Sequence, residues 1–339
     1  MDTYRNEPVV TAAAWQGAEV AAKSHWIKCL SQEQLEALYT AALRIEKQGI
    51  DYLEAGAADF VLPSFDRLSK ELLQTLEGGL GFVLVRGFPV EAYDEQMITR
   101  MFWGLGIQLG TAEPQDAAGK RLHHVRDSGE QLEKKSDLRA YQTNRAINYH
   151  NDGSDIFALL CLRRASAGGR SKLVSAVSVF NEILRRRPDL ARVLQRPFVF
   201  DARGQQLAGA PPCQTVPIFN FHAGYLNVLY KREYIDLAQR FEDVPPLTRE
   251  QGEALDLMDA VCEQLSMEFE MRPGDILIAN NYDMLHARSA FHDQDTRVAG
   301  RHMLRIWMSI PNGRPLPQVL VGTREFHHSY KRRMIDQRD

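Results

Sequence analysis

Short extended runs, several of them bounded by glycine or proline, fill much of the chain from residue 145 onward and point to a fold built on sheets. Residues 145–152 form one such run and stop at Gly153. Residues 156–162 are apolar throughout, the pattern of a strand buried on both faces. Gly168-Gly169 turns the chain into a run at 171–176, and residues 198–230 read as strands joined by turns, one at His222-Ala223-Gly224. Residues 267–271 and 275–279 flank a Pro273-Gly274 turn, and residues 302–309 make the last run. An earlier one, 81–87, is closed by glycine and then Pro89.

Helices are fewer. Ser31 with Gln34 is a capping-box pattern that opens a helix reaching Gly49, with Leu35, Leu38, Ala42 and Ile45 along one face. Residues 94–103 place Met97, Ile98, Met101 and Phe102 inward. A helix after residue 176 is interrupted at Pro188, and Thr248 with Gln251 opens one carrying Leu255, Met258, Val261 and Leu265. There is no internal repeat and no Pro/Gly linker. The expectation is a single domain over 1–339, mainly β, a barrel or jelly roll with surrounding α-helices, with 1–50 as a helical N-terminal extension. Residues 104–139 lose all periodicity; they are expected to be an active-site lid, with a plain surface excursion as the alternative.

Composition excludes some partners. With 339 residues and a formal net charge of −3, no global field favours nucleic acid or an anionic membrane. Arg185-Arg186-Arg187 and Lys331-Arg332-Arg333 read as solvated helix ends. No apolar run approaches the roughly 20 residues of a membrane helix. The first residues include acids and no secretory pattern, so a cytoplasmic setting is expected. Cys29, Cys161, Cys213 and Cys262 are scattered without a C-x-x-C pair, which argues against a disulfide framework or structural zinc.

The chemistry-bearing residues lie at the ends of these runs. His150 and Asp152 are one residue apart, so on a strand of period two they share a face and can share a metal. His286 follows the run 275–279 and the polar turn Asn280-Asn281. Two imidazoles and one carboxylate hold one face of an octahedron and leave the other open, the arrangement of non-haem Fe(II) oxygenases. Arg301 and Arg305, four apart, share a face with Met303, while His302, Leu304 and Ile306 take the other. Arginines directed into a barrel need anions to meet them, and a planar fork suits a carboxylate-bearing cosubstrate.

The ordered set His-x-Asp, Gly-Gly-x-Ser, Gly-Asp-x-x-x-x-Asn-Asn…His and Arg-x-x-x-Arg resembles the taurine catabolism dioxygenase (TauD/TfdA) family, over roughly residues 82–308. The resemblance implies an Fe(II)- and 2-oxoglutarate-dependent dioxygenase on a double-stranded β-helix, a jelly-roll, cupin-like core. It implies His150, Asp152 and His286 as iron ligands, Arg301 as partner of the 2-oxoglutarate distal carboxylate, and Ser171 near that carboxylate, where relatives often have threonine. Arg305 falls where taurine dioxygenase meets its anionic substrate; here substrate and cosubstrate both remain open. Arg297 rivals Arg301 at a shorter spacing from His286, but sits in a polar stretch. The implied reaction uses O2 to hydroxylate an unactivated C–H bond with release of succinate and CO2; desaturation or oxidative demethylation would use the same site. A small polar or anionic substrate is expected, with Tyr141, Asn148, Tyr225 and Arg305 as candidate contacts. A homo-oligomer is left open. A non-catalytic ligand-binding jelly roll has no reason to combine this triad with Arg301, and a zinc hydrolase lacks an evident general base.

Overall fold

Strands that are apolar on both faces need a partner layer on each side. The computed structural model, described for residues 4–129, 139–293 and 300–336, supplies both. A seven-stranded sheet runs in the order Ile27–Cys29, Phe82–Arg86, Ile276–Asn280, Ile156–Arg163, His302–Ser309 and Thr111–Glu113, with Leu122–Arg126 also paired to His302–Ser309. A four-stranded sheet in the order Met267–Phe269, Ser171–Ser175, Met284–Arg288 and Ile147–His150 completes the jelly roll. Within the large sheet only the Ile27–Cys29 pairing is parallel among the described strands.

Alternation divides the core. Phe157, Leu277, Met303 and Trp307 pack in one cluster with Leu173 and Leu285 of the small sheet. Their neighbours Ala158, Leu160, Ile278, Leu304 and Ile306 face the other way, into a second cluster with the helices Gln32–Lys47, Asp66–Gly78 and Glu95–Gly106. Each large aliphatic side chain so buried contributes about 1.5–3 kcal/mol. Both capping boxes are formed: Ser31 with Gln34 at Gln32–Lys47, and Thr248 with Gln251 at Arg249–Leu265. Pro188 separates the helices Ala176–Arg186 and Pro188–Val193.

Two expectations need correction. Residues 1–50 are not simply a helical extension, because Ile27–Cys29 is an edge strand of the large sheet. Residues 104–139 are not structureless either. The helix continues to Gly106, and Thr111–Glu113 and Leu122–Arg126 both pair with His302–Ser309. The second strand escapes a hydrophobicity reading because its inward positions are His123 and Val125, and a buried histidine hides the alternation. What remains of the lid reading falls on 130–138, outside the described residues.

A buried carboxylate ties the large sheet to the C-terminal helix His327–Asp336. Asp155 accepts from the Tyr282 hydroxyl at 2.5 Å, the Ile310 N–H at 2.7 Å and Arg333 Nη1 at 2.8 Å. Asp155→Ala strands the Arg333 charge and is expected to destabilise the protein by about 3–5 kcal/mol, read as a lower urea midpoint at unchanged slope.

Candidate active site

Strand register builds the centre of the site. Ile147–His150 and Met284–Arg288 run antiparallel with His150 directly opposite His286. Direct cross-strand partners share a face, and here the two ring centroids lie 4.2 Å apart. Asp152 follows where the strand ends. The ligand atoms of His150, Asp152 and His286 all lie within 4.8 Å of one another.

The backbone carrying Asp152 is clasped by two asparagines. Asn281 accepts from the Asp152 N–H at 3.1 Å and donates to the Gly153 carbonyl at 2.8 Å, while Asn151 accepts from the Tyr230 N–H at 2.8 Å. Gly153 passes close to Trp307; an added Cβ would come within 2.6 Å of the indole. The turn has no room to relax.

Protonation fits a metal. His150 Nδ1 lies 2.8 Å from the Asn148 carbonyl, which directs its other nitrogen inward. Burial pushes the pKa of His150 down and that of His286 well down, so both rings present neutral lone pairs. Burial alone would raise Asp152, but Arg305, then His286 and His150, outweigh it and hold the carboxyl well below its usual range. Arg305 Nη1 reaches both Asp152 oxygens, at 2.9 and 3.0 Å, and its Nε donates to Gln115. A second cluster, Glu95 with His124 and His302, fits a cation less well, because Arg163 lies 3.0 Å from His302 Nδ1.

Behind the triad is an inner cavity lined by Ser171, His286, Arg288 and Arg301. Arg301 is 3% exposed and Arg288 6%. In each, Nε and Nη1 are buried with no partner among the described residues. Burial pulls Arg301 down to about 10; burial, then the charge of Arg301, pulls Arg288 to about 9. Buried guanidinium N–H groups left unmatched are costly, and the cavity is therefore built for an anion. Ser171 pairs in register with Arg288, on the same face. The Gly168-Gly169 turn, both residues at positive φ (74° and 67°), lets the chain pass beside Arg301: a Cβ on Gly169 would lie 3.2 Å from its Nε.

The model of the taurine catabolism dioxygenase TauD, TfdA family matches residues 47–307. This chain belongs to that family. FR-33289 synthase of Streptomyces rubellomurinus is 31% identical over 323 residues, covering 93% of this chain and 94% of that protein. The taurine hydroxylase-like protein SAT17 of Stachybotrys chartarum is 28% identical, covering 86% and 77%. Among solved structures, asparagine oxygenase with Fe(II), 3-hydroxyasparagine and succinate aligns with a TM-score of 0.62 at 14% identity, over 84% of this chain and 94% of that one. The non-haem iron oxygenase OrfP with Fe and α-ketoglutaric acid aligns at 0.60 and 15%, over 83% and 93%. The TauD/TfdA protein described here is a 2-oxoglutarate-dependent non-haem iron dioxygenase, and its fold is the jelly roll of those oxygenases.

The expected residues of this dioxygenase are mostly brought together. Tyr141 lines both cavities, and Asn148 lines the outer one. Arg305 points at Asp152, so its first contact is neither substrate nor cosubstrate. Tyr225 is misplaced: it sits at the turn of the hairpin Phe219–His222/Tyr225–Val228, 41% exposed and against Arg314. Tyr234 lines the cavity instead. Arg297 lies outside the described residues. Arg288 was legible, since His286-x-Arg288 on a strand repeats the His150-x-Asp152 spacing. Lys231 and Glu325, paired at 2.6 Å beside the site, leave no sequence signal because 94 residues separate them.

Glu325 offers a pH test. Burial would raise its pKa, but Lys231 and then Arg324 hold it near 2. Its stabilisation is complete above the unfolded carboxylate value of about 4.3 and is lost as pH falls toward 2. Acid titration of stability should show this loss in the parent, and a smaller one in Glu325→Gln.

Proposed function

We propose that His150, Asp152 and His286 hold Fe(II), and that Arg301 and Ser171, joined by Arg288, hold the distal carboxylate of 2-oxoglutarate. The enzyme then hydroxylates an unactivated C–H bond of a small polar or anionic metabolite, releasing succinate and CO2. The observation that carries this reading is one cavity lined by the neutral-imidazole and carboxylate triad and by two buried guanidinium groups whose Nε and Nη1 find no partner among the described residues. Iron with 2-oxoglutarate and O2 supplies the oxidising power. The chain's part is binding and orientation. The asparagine clasp fixes Asp152, Arg305 keeps it ionised, and the inner arginines set the cosubstrate's reach. Tyr141 and Asn148 border the space left for substrate. Four free cysteines support a cytoplasmic setting.

Anaerobic titration tests the ligands. The parent should bind one Fe(II) and develop a weak visible charge-transfer band with 2-oxoglutarate, and His150→Ala, Asp152→Ala or His286→Ala should each abolish it. An unchanged band in all three would sink the assignment, and a catalytically silent ligand-binding protein would form no succinate in a substrate screen.

The arginine pair makes a separate prediction. Arg301→Ala should weaken 2-oxoglutarate binding by about 2–5 kcal/mol with Fe(II) binding intact. Arg288→Gln should weaken it by a smaller but measurable factor. If only Arg301 matters, Arg288 serves the Thr143 and Arg145 carbonyls to which it already donates.

A further inference from the structure

The outer cavity, which shares Tyr141, His150, Asp152 and Arg305 with the inner one but not Arg288 or Arg301, carries positive charge that its own walls do not cancel. It is lined by Arg139, Arg203, Lys231, Arg232, Arg305 and Arg324, with Asp152 and Glu233 as its acids, and Arg232 is paired with Asp236, Asp256 and Asp259. Most of these cations are occupied. Arg305 is taken by Asp152, Lys231 by Glu325 at 2.6 Å, and Arg203 meets Glu233 at 3.2 Å.

Two have no carboxylate of their own among the described residues. Arg139 is half-buried, its main electrostatic neighbours are Arg324, Tyr234, Tyr141 and Arg305, and it makes no ion pair among the described residues. Burial, and then Arg324, draw its pKa down. Arg324 Nη2 donates to the Gln115 carbonyl at 2.9 Å, but the side chain comes no nearer than 3.8 Å to Glu325, a carboxylate that Lys231 already holds. The Arg324 side chain is 7% exposed. Like charges gathered this way are unfavourable unless an anion meets them.

The arginines come from separate pieces of chain. Arg139 precedes the turn Ala140–Gln142, Arg203 follows the strand Pro197–Asp201, and Arg324 follows the turn Gln318–Leu320. A planar carboxylate is satisfied by one guanidinium fork. Guanidinium groups from several elements suit an anion with more oxygens and more charge.

Resting on the dioxygenase reading above, we propose that this cavity binds its substrate through a terminal phosphorus dianion, a phosphate monoester or a phosphonate, held by Arg139 and Arg324 with Arg203 beside them. The carbon chain then lies along Tyr141, Tyr234 and Trp307, with its reacting carbon over the His150 and Asp152 face. A sulfonate has the oxygens but only one charge, and leaves one arginine uncompensated.

Calorimetry with four small probes tests this, on the protein alone and on the anaerobic Fe(II)–2-oxoglutarate complex: propyl phosphate, propylphosphonate, propanesulfonate and butyrate. At least one phosphorus probe should bind about tenfold or more tighter than the sulfonate and butyrate, and whichever of the two binds better distinguishes ester from phosphonate. Propyl phosphate affinity should rise as pH passes its second ionisation, near 6. Arg139→Gln and Arg324→Gln should each weaken the preferred phosphorus probe about tenfold or more and leave Fe(II) and 2-oxoglutarate binding unchanged, with Arg139→Lys and Arg324→Lys recovering part of the loss. Equal binding of all four probes, binding of none, or indifference to both Gln variants overturns the proposal. Failure to load iron and 2-oxoglutarate overturns the dioxygenase site instead, and leaves the probe titrations of the unloaded protein to decide this one.

Discussion

The site depends on one register. His150 stands opposite His286 because Ile147–His150 and Met284–Arg288 pair in a single alignment. A slip of one residue would turn one imidazole to the other face of the sheet. The alignment is held from both sides. Ser171–Ser175 pairs with Met284–Arg288 over its whole length, and the asparagine clasp fixes the turn beyond His150. Irregularity is confined to the Arg288 end, where the register with the ligand strand shifts.

Charge is then distributed around that register. Asp152 is ionised because Arg305 is bound to it, while the imidazoles stay neutral because burial outweighs the carboxylate beside them. Arg288 and Arg301 are left short of partners among the described residues, and stability surrendered there is recovered in the packed strands on either side.

Much of this was legible in the chain, for definite physical reasons. The ligand pair, Arg301 and the doubly buried strand 156–162 are local patterns, and period-two geometry translates each into a face. The two capping boxes are equally local, and both form. Three things were hidden. Leu122–Arg126 carries a buried histidine where a hydrophobe is expected, Ile27–Cys29 is too short to show a period, and the cavity cations are adjacent only after folding. Tyr225 was misjudged because a tyrosine in a polar turn looks like a pocket residue until the hairpin places it at the surface.

The two cavities rest on different kinds of backbone. The inner one is formed by side chains on or next to paired strands: Ser171, His286, Arg288 and Arg301. Arg139, Arg203 and Arg324 of the outer one stand on turns and connecting segments, which tolerate replacement and insertion far better than paired strands do. A change at Arg139, Arg203 or Arg324 can therefore redirect which molecule is accepted without disturbing how the oxidant is held. In such a scaffold, new substrate preferences are reached by rewriting loops, one short segment at a time, while the reaction itself is inherited unchanged.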